Sequence, residues 1–578
     1  MKPLITSCPL DCYDACRIIP EESGKLKGLK KHPVTQGYLC PNMNHFSEYE
    51  RIRIPRLFGQ PVSMETALEK MYEMFAKTES KKILYYRGSG NIGLMQRSCE
   101  HFFARFNATG TSGSLCDGAG EAGVLAGRGE NYILSPDMIA RSEVIVVWGR
   151  NLHATHSHLL PVLKGKTVIV IDPVRTKMAE MADLYIQIRP KCDMYLALIL
   201  SRFVMIEGSY DAEYLQEHAP DYESFYELTQ TLRIKSTLEK IDVSLGQIGD
   251  FLAFVQGKRT AILIGAGVQK YRIGADVVRA IDGLGMLLGL FAQEGSGVSF
   301  LGHSSKGIDF PFDSITRKVS KATVDFAQFE TVFVQGANPL AQMPASGKVR
   351  SGYAEVPFSI YFGLYENETS LASALVIPAK SFLEKNDFRS SYGDYTFEEM
   401  PKVTEPSCGI SEFELTAYLC DRFSITLEEE LTYLNHFRSQ ICYDGDVGYR
   451  KDRPEVPYEK GFKKGHFEFI DEIDADFAEE EGFFLVTPKQ PKGLNSQFER
   501  QRGVWFHPET GFEEGSKVRL TSAQGSVVME VRHDERLRQD TLLIYSGTPD
   551  VNCLTPALLS YDGENAVYQE YKIKVEKV

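Results

Sequence analysis

Cysteines near the N-terminus carry the most distinctive chemistry of this sequence. The segments CPLDCYDAC and GYLC together give the spacing C-x3-C-x3-C-x23-C, formed by Cys8, Cys12, Cys16 and Cys40. Thiolates at this spacing can converge on one soft metal centre, because both iron–sulfur clusters and zinc ions take cysteine quartets as ligands. Zinc sites usually combine two short cysteine pairs, whereas this pattern has a triplet and one distant cysteine. The spacing therefore favours a 4Fe–4S cluster, with a zinc site as the alternative.

Short apolar runs, most of them separated by helical patterns, predict the elements that position other functional residues. These runs are EVIVVWG (143–149), TVIVID (167–172), LYIQIRP (184–190), TAILIGAG (260–267), TVFVQGANP (331–339), SIYFGLY (359–365) and ALVIPA (374–379). Apolar runs that alternate with helices are typical of buried parallel sheets in α/β domains. Ligands bind at the carboxyl ends of such strands, and several runs end in small or polar residues. We therefore expect ligand-binding loops along one sheet edge.

Composition and charge exclude some classes of partner. The 578-residue chain has a formal net charge of −14 and no basic stripe with interleaved aromatic residues, so we expect no nucleic-acid partner. No apolar run approaches the ~18 residues that a membrane span needs. The N-terminus, MKPLITSCPLDC, has neither a hydrophobic signal segment nor a twin-arginine pair, which predicts a cytoplasmic protein. Its 11 cysteines are too sparse for a disulfide scaffold, and a reducing compartment suits thiolate ligands.

With these patterns in order, the chain resembles the molybdopterin oxidoreductase family, which includes DMSO reductases, formate dehydrogenases and thiosulfate or polysulfide reductases. The resemblance covers nearly the whole chain. It is carried by CPLDCYDAC with PVTQGYLCP, WGRNLHATHSH, VIDPVRTKMAEMADLYIQIRP, GAGVQKYRIGADVVRAIDGL, GANPLAQMP, FLEKNDFRSSYGD, LVTPKQPKGLNSQF and PDVNCLTPALLSYDGENAVYQEYKI. The first pair is similar to the family's cluster-binding segment, and the last two segments are similar to its C-terminal barrel.

The resemblance and the change of pattern along the chain imply a multidomain α/β protein with mainly parallel sheets. Residues 1–56 would bind the 4Fe–4S cluster. Residues 57–424 would form two interleaved α/β molybdopterin-binding domains, with 141–300 as the dinucleotide-binding-like core of one of them. The charged stretch 425–480 predicts a solvated linker. Short β-branched strands within 481–578 predict a C-terminal β-barrel-like domain that binds molybdopterin dinucleotide.

The family's cofactor is a pair of molybdopterin guanine dinucleotides that chelate one molybdenum or tungsten atom, and the resemblance implies the same here. Backbone amides, side-chain amides and carboxylates at strand ends suit such a long, anionic ligand. Asp172, which ends TVIVID, would accept hydrogen bonds from a ribose or guanine. The candidate cofactor-binding residues are Gly149, Asn151, Asp172, Asp193, Gly267, Asn338, Asn495 and Asn552. Turn formation is the alternative role for each of them.

A glycine-rich segment, GTSGSLCDGAGEAGVLAG at 110–127, is where the resemblance places the protein ligand of the metal. Cys116 is the best match, Asp117 is the second candidate and Ser114 is the third. A thiolate suits a soft metal that sulfur already binds, and glycine turns let bulky pterins approach the backbone. The alternative is a buried structural cysteine.

Three positions depart from the family pattern. Many members have a lysine near the second position after the fourth cluster cysteine, where this chain has Asn42; a neutral amide there should lower the cluster's reduction potential. Lys191 lies in PKCD, where many members have Pro-Gly-Thr-Asp, and it could reach a phosphate. Formate dehydrogenases carry a histidine directly after the metal ligand, where this chain has Asp117, which disfavours formate as substrate.

The resemblance implies a cytoplasmic oxidoreductase that performs two-electron redox chemistry or oxygen-atom transfer on a small substrate. Electrons would pass through the cluster to an electron-transfer protein or an iron–sulfur subunit. The alternative is an electron-transfer or scaffold subunit of the same fold without an active metal, and Cys116 with the intact loops counts against it. His153, His156 and His158 are spaced so that they could mimic a zinc site, but we expect cofactor-loop or surface roles for them.

Overall fold

The computed structural model of the chain describes residues 4–473, 481–490 and 492–578. The chain forms two compact units, and each unit combines stretches that are distant in sequence. The first unit comprises Met1–Ser112, His303–Arg453 and Lys492–Arg500, and the second comprises Gly113–Gly302, Pro454–Pro491 and Gln501–Val578. Residues from distant parts of the sequence therefore meet within each unit.

A six-stranded sheet forms the centre of the first unit. Its strands, in order across the sheet, are Gln60–Pro61, Arg56–Leu57, Leu375–Pro378, Phe358–Gly363, Thr331–Gln335 and Ile83–Arg87. The last four run parallel, and the two short strands at the other edge pair antiparallel. Every residue of Thr331–Gln335 and Phe358–Gly363 is buried, as is typical of parallel strands that are covered on both faces.

The helix Met64–Lys77 shows how local sequence sets the helices of this unit. The hydroxyl oxygen of Ser63 caps it by accepting a hydrogen bond from the backbone N–H of Thr66 at 3.1 Å. Met71 and Phe75, four residues apart, lie on the buried face and enter the core. Further helices of this unit are Pro41–Asn44, Ser98–Arg105, Pro339–Gln342, Ser346–Ala354, Glu368–Ala372, Glu412–Arg422 and Glu430–Arg438.

A small antiparallel sheet carries the N-terminal cysteines. Its strands are Thr6–Ser7, Arg17–Pro20 and Leu26–Gly28, paired in this order. Further strands of the first unit form short pairs: Gly110–Ser112 with Lys318–Ser320, Asp387–Ser390 with Phe397–Met400, Cys442–Asp444 with Val447–Tyr449, and Gly493–Leu494 with Gln497–Phe498.

A five-stranded parallel sheet belongs to the second unit. In order across the sheet, its strands are Leu184–Ile186, Thr167–Ile171, Val144–Trp148, Thr260–Ile264 and Gly297–Ser299. Because these strands run in one direction, the loops that follow them lie along the same edge. Helices of this unit are Gly118–Arg128, Pro136–Ile139, Leu152–Thr155, Lys177–Glu180, Asp193–Glu207, Ala212–His218, Tyr222–Gln230, Ile234–Ile241, Leu245–Val255 and Gly274–Leu287.

The second unit also contains a closed barrel near the C-terminus. Its strands, in order, are Phe483–Val486, Thr541–Leu543, Val504–Phe506, Gly525–His533, Lys517–Ser522 and Lys572–Lys577. The barrel and the parallel sheets confirm the predicted fold class, whereas the predicted domain boundaries stay predictions. No helix among the described residues is both long and apolar enough to cross a membrane.

The prediction of a solvated linker over 425–480 is wrong for the described part of that stretch. The helix Glu430–Arg438 buries Phe437 in a core cluster of the first unit. Farther along, Tyr458 is only 4% exposed in the second unit. The charged residues that indicated a linker are interspersed with aromatic residues that enter the cores, which the count of charges did not show. Residues 474–480 lie outside the described residues.

Candidate functional site

The first unit brings the four N-terminal cysteines together. Cys8 and Cys16 are buried, and Cys12 and Cys40 are half-buried. Burial raises the pKa of the Cys8 thiol to about 12, and the nearby Cys40 thiol adds to this shift. Burial also raises the pKa of Cys16 well above its usual range, with further contributions from Asp14 and the other three thiols. Neighbouring thiols that oppose one another's ionisation fit a positively charged metal cluster, which would bind them as thiolates.

A single metal ion and a 4Fe–4S cluster require different spacings of their cysteine ligands. Within the described ranges, no three His, Cys, Asp or Glu side chains lie close enough together to hold one ion. A zinc site places all its ligands around one atom. A 4Fe–4S cluster instead takes each cysteine at a different iron, so that the sulfur atoms stay farther apart. The choice of a 4Fe–4S cluster over zinc therefore stays a prediction from the cysteine spacing.

Backbone hydrogen bonds fix the segments that carry these cysteines. The N–H of Cys8 donates to the carbonyl oxygen of Cys16 at 2.8 Å, which closes the loop between two paired strands. Cys40 directly precedes the helix Pro41–Asn44 and accepts a hydrogen bond from the N–H of Asn44 at 3.0 Å. Paired strands thus hold the segment of Cys8 and Cys16, and a short helix holds Cys40.

Arg389 holds the cysteine loop from a distant part of the sequence, and we did not identify it from sequence alone. Its Nε donates to the carbonyl oxygen of Cys8 at 3.2 Å, and its Nη2 donates to that of Cys12 at 2.9 Å. The Arg389 side chain is fully buried. The one sequence signal was its position in FLEKNDFRSSYGD, a segment that carried the family resemblance without indicating a role for any residue.

Two asparagines lie close to the cysteine segments. Asn42 is buried, and its side-chain oxygen has no hydrogen-bond partner in the described structure. Asn495 has a left-handed backbone, with φ of 54°, and its Nδ2 donates to the Asp11 carboxylate at 3.1 Å. The Asn495 side chain therefore supports the cysteine loop, and its predicted contact with a dinucleotide stays a prediction.

Cys116, the candidate metal ligand, lies in the second unit on a turn with internal hydrogen bonds. The Ser114 hydroxyl oxygen accepts hydrogen bonds from the N–H groups of Cys116 at 2.9 Å and of Asp117 at 3.2 Å. The side-chain amide of Gln269 donates to the carbonyl oxygen of Cys116. The Cys116 side chain is exposed, so the alternative of a buried structural cysteine is wrong. An exposed thiol on a fixed turn fits the ligand of a bound metal.

A buried ion pair anchors the helix that follows Cys116. Helix Gly118–Arg128 ends with Arg128, whose Nε donates to the Asp282 carboxylate at 2.8 Å. The side chains of both residues have no exposed surface. Asp282 belongs to the helix Gly274–Leu287, so the pair joins two core helices. The Cys116 turn is therefore attached to a well-anchored element.

Glycines let the backbone come close together where two adjacent strands of the parallel sheet end. Gly149 has φ of 59°, and a Cβ atom there would lie 2.5 Å from a methyl group of Val268. A Cβ atom at Gly265 would collide with the Gly149 carbonyl oxygen, and one at Gly267 would lie 3.1 Å from that oxygen. Only glycine permits this approach, and such loops suit a ligand that contacts the backbone.

Asp172 and Asn151 offer hydrogen-bonding groups at the same edge. Burial raises the pKa of Asp172 to about 7. One carboxylate oxygen of Asp172 accepts the N–H of Val174 at 2.8 Å, and no described residue donates to the other. The side-chain oxygen of Asn151 is buried without a partner. Buried polar groups are normally hydrogen-bonded, so these atoms fit a polar ligand such as a nucleotide.

Other candidate residues use their side chains within the protein. Trp148 donates through Nε1 to Asp193 at 2.7 Å, and burial raises the pKa of Asp193 to about 6. Asn338 donates through Nδ2 to Glu368 at 2.7 Å. Asn552 accepts a hydrogen bond from a threonine hydroxyl at 3.2 Å. These side chains stabilise their own loops, and contacts of the three residues with a cofactor stay predictions.

Lys191 and two of the three histidines also have partners or surroundings that the sequence did not indicate. The ammonium group of Lys191 donates to the Glu570 carboxylate at 2.6 Å, so a carboxylate already engages it. The Arg150 guanidinium is 2.8 Å from Nδ1 of His156. Burial lowers the pKa of His153. Among the described residues, His158 belongs to no group of three or more His, Cys, Asp or Glu side chains that could hold a metal ion.

Lys270 is a functional candidate that the sequence analysis did not identify. It follows Gln269, the residue that binds the Cys116 carbonyl. Its Nζ lies 5.3 Å from the ring centre of Tyr568 and forms no hydrogen bond or ion pair with any described residue. Burial lowers the pKa of Lys270 to about 8, while the Cys116 thiol opposes this shift and Lys489 adds to it. A lysine without a paired carboxylate thus lies near the candidate metal ligand.

The chain matches the model of a known protein family. The model of a family described as molybdopterin oxidoreductase matches residues 60–410. This match spans more than half of the 578-residue chain. The chain belongs to the molybdopterin oxidoreductase family. The resemblance inferred from the sequence is therefore confirmed.

Several known proteins are similar to this chain in sequence or in structure. Two probable oxidoreductases of Bacillus subtilis are similar in sequence. YyaE is 27% identical over 69% of this chain and 66% of its own length. YoaE is 23% identical over 99% of this chain and 98% of its own length. A nitrate reductase of Shewanella frigidimarina is 23% identical over 62% of this chain and 44% of its own length. The acetylene hydratase of Pelobacter acetylenicus has a similar structure, with a TM-score of 0.82 at 15% identity over 99% of this chain and all of its own. At that identity the likeness shows the fold alone.

Proposed function

We propose that this protein is a molybdenum or tungsten oxidoreductase that binds two molybdopterin guanine dinucleotides and a 4Fe–4S cluster. It would carry out two-electron redox chemistry or oxygen-atom transfer on a small substrate. The observation that carries this proposal is the exposed thiol of Cys116, which Ser114 and Gln269 hold on a fixed turn. A soft thiolate is a suitable ligand for such a metal, whereas a scaffold subunit without a metal has no use for it.

The first unit supplies the electron relay in this proposal. Its four N-terminal cysteines would hold the 4Fe–4S cluster as thiolates, and Arg389 would keep their loop in place. The cluster would pass electrons singly to an electron-transfer protein or an iron–sulfur subunit. Asn42, two residues after Cys40, is neutral, which would keep the reduction potential of the cluster low.

The second unit would bind the dinucleotides at the edge where the strands of its parallel sheet end. Gly149 and Gly265 let the loops after two adjacent strands pack against each other, and Asp172 and Asn151 present oxygen atoms to which no described residue donates. A guanine or ribose offers N–H and O–H donors that match these oxygens. Asp193, Gly267, Asn338, Asn495 and Asn552 remain candidates for further contacts.

Asp117 is the candidate for proton transfer beside the metal. Its carboxylate accepts a hydrogen bond from the Ser114 hydroxyl at 3.0 Å, which orients it on the Cys116 turn. An oriented carboxylate can take up or release the proton that accompanies reduction of a substrate. Asp117 occupies the place of the histidine of formate dehydrogenases, so formate stays disfavoured. A cytoplasmic location agrees with eleven cysteines that form no disulfide.

Dye-linked assays of the anaerobically purified protein test the proposal. Reduced viologen should be oxidised by at least one member of a panel of nitrate, thiosulfate, N-oxides and S-oxides. The variant Cys116→Ala should lose this activity while it keeps the iron content of the unchanged protein. Activity that survives in Cys116→Ala, or wild-type protein that turns over nothing yet contains the full cofactor, would contradict the roles assigned here.

A further inference from the structure

Lys270 is a cation without a carboxylate partner among the residues that the structure describes. Its Nζ forms neither a hydrogen bond nor an ion pair with any residue that the structure describes, and the residue is half-buried. Lysine is rarely withdrawn from water unless it is paired, because a charge that leaves water without a partner costs free energy. An unpaired ammonium group in such a place fits an anion that comes from outside the chain.

The backbone fixes the position of Lys270. Its carbonyl oxygen accepts hydrogen bonds from the N–H groups of Tyr568 at 3.3 Å and Gln569 at 3.2 Å. The preceding residue, Gln269, binds the carbonyl of Cys116 through its side chain. Lys270 is therefore held between the Cys116 turn and the C-terminal segment, both within the second unit. A binding group held in this way loses little conformational entropy when it engages a ligand.

Groups of both signs act on this ammonium group, and the Cys116 thiol, as a thiolate, favours its charged form. A second lysine, Lys489, lies close enough to interact electrostatically with Lys270. The acidic residue of the neighbouring turn, Asp117, has one carboxylate oxygen engaged by Ser114 at 3.0 Å. Lys191 in the same unit shows the contrasting case, because Glu570 neutralises it at 2.6 Å. Within the described ranges, Lys191 is thus paired with a carboxylate and Lys270 is not.

We propose that Lys270 binds an anion beside Cys116, so that the substrate is a small oxyanion rather than a neutral N-oxide or S-oxide. The inference rests on the proposed function, because it assigns a substrate class to the same site. An oxyanion would accept charge-assisted hydrogen bonds from the ammonium group. A phosphate of the bound cofactor has the same chemistry, and the experiment must separate these two sources.

The test is anion binding to the anaerobically purified full-length protein, measured by calorimetry with nitrate, thiosulfate and formate as anionic probes and dimethyl sulfoxide as the neutral probe. The variants are Lys270→Met and Lys270→Arg. Lys235→Met is the matched control, since Lys235 is exposed on a helix of the same unit. Lys270 has no hydrogen-bond partner to leave unpaired, so Lys270→Met should fold. Molybdenum, tungsten and pterin are quantified in every sample.

The expected result is that at least one anionic probe binds the wild-type protein and that Lys270→Met weakens this binding about tenfold or more. Lys270→Arg should stay within about threefold of wild type, and Lys235→Met and the neutral probe should show no change. Equal binding of anions by Lys270→Met and wild type would overturn the inference, as would a wild-type protein that binds none of them. Loss of pterin from Lys270→Met would overturn it in favour of a cofactor phosphate.

Failure of the proposed function gives a different result. Wild-type protein without molybdenum, tungsten or pterin would contradict the proposed cofactor. Anion binding that depends on Lys270 in that same sample would show that the anion site exists independently of the metal.

Discussion

Arg389 donates a hydrogen bond to the carbonyl oxygen of Cys12 at 2.9 Å, across 377 residues of sequence. The same guanidinium also donates to the carbonyl of Cys8 at 3.2 Å. Because Arg389 is fully buried, these bonds form away from water, where a carbonyl left without a donor costs about 1–3 kcal/mol. The loop with three of the four N-terminal cysteines thus depends on a residue near the middle of the chain.

Replacing Arg389 should weaken cluster binding without touching a cysteine. We expect Arg389→Met to destabilise the first unit by about 1–3 kcal/mol for each buried carbonyl that loses its donor, and to lower the iron bound per chain. Arg389→Lys should retain part of the iron. The measurements are iron content and visible absorption after anaerobic purification. Arg422→Met, at an exposed arginine of the same unit, is the control. Full iron content in Arg389→Met would contradict the role of this residue.

Replacing Cys12 should remove the 4Fe–4S cluster while molybdenum or tungsten stays bound. Cys12→Ala removes one thiolate of the quartet, so the absorption of the cluster and electron transfer through it should be lost. Bound molybdenum or tungsten should largely remain, because Cys12 and Cys116 belong to different units. Metal analysis and absorption spectra of the same sample check both expectations. A variant that keeps its cluster absorption would show that Cys12 is not a ligand.

The buried pair of Arg128 and Asp282 should dominate the stability of the second unit near Cys116. Arg128→Met leaves the Asp282 carboxylate buried without its partner, which should cost about 3–5 kcal/mol of unfolding free energy. The double variant Arg128→Met with Asp282→Leu should recover most of that loss, because two apolar side chains can replace a buried pair. Urea denaturation measures both. Arg141→Met removes an exposed pair with Glu294 and should change little.

If the double variant were no more stable than Arg128→Met, the cost would come from lost packing and not from an unpaired charge. Both results also bear on the site, since the helix that ends at Arg128 begins two residues after Cys116.

Asp172 should make stability depend on pH. Burial raises its folded-state pKa from 3.8 to about 7, so between pH ~4 and ~7 the folded state keeps a proton that the unfolded state has lost. Stability therefore falls as pH rises through this window and is constant above it. Asp172→Asn should remove this slope and raise stability above pH 7 by about 1–4 kcal/mol. Urea denaturation from pH 4 to 8 is the measurement.

The exposed Asp250 offers the matched control, since Asp250→Asn should leave the pH dependence of stability unchanged. An Asp172→Asn variant with the pH dependence of the wild-type protein would show that this carboxyl is ionised in the folded state.

Local patterns were enough to predict these strands and the small or polar residues at their carboxyl ends. The runs TVIVID and TAILIGAG became parallel strands with Asp172 and Gly265 directly after them, because strand periodicity and glycine turns are properties of neighbouring residues. Arg389 and Lys270 escaped prediction for the opposite reason. The partners that give Arg389 its role are distant in sequence. Lys270 is distinguished by the lack of a carboxylate partner among the described residues, which only tertiary structure can show.

Quantification of molybdenum, tungsten, iron and pterin per chain in the anaerobically purified protein is the most direct test of the proposed function. The account predicts stoichiometric molybdenum or tungsten together with iron, and pterin that releases guanosine monophosphate on hydrolysis. Protein that contains iron but neither molybdenum nor tungsten would contradict it and would favour the electron-transfer or scaffold subunit instead.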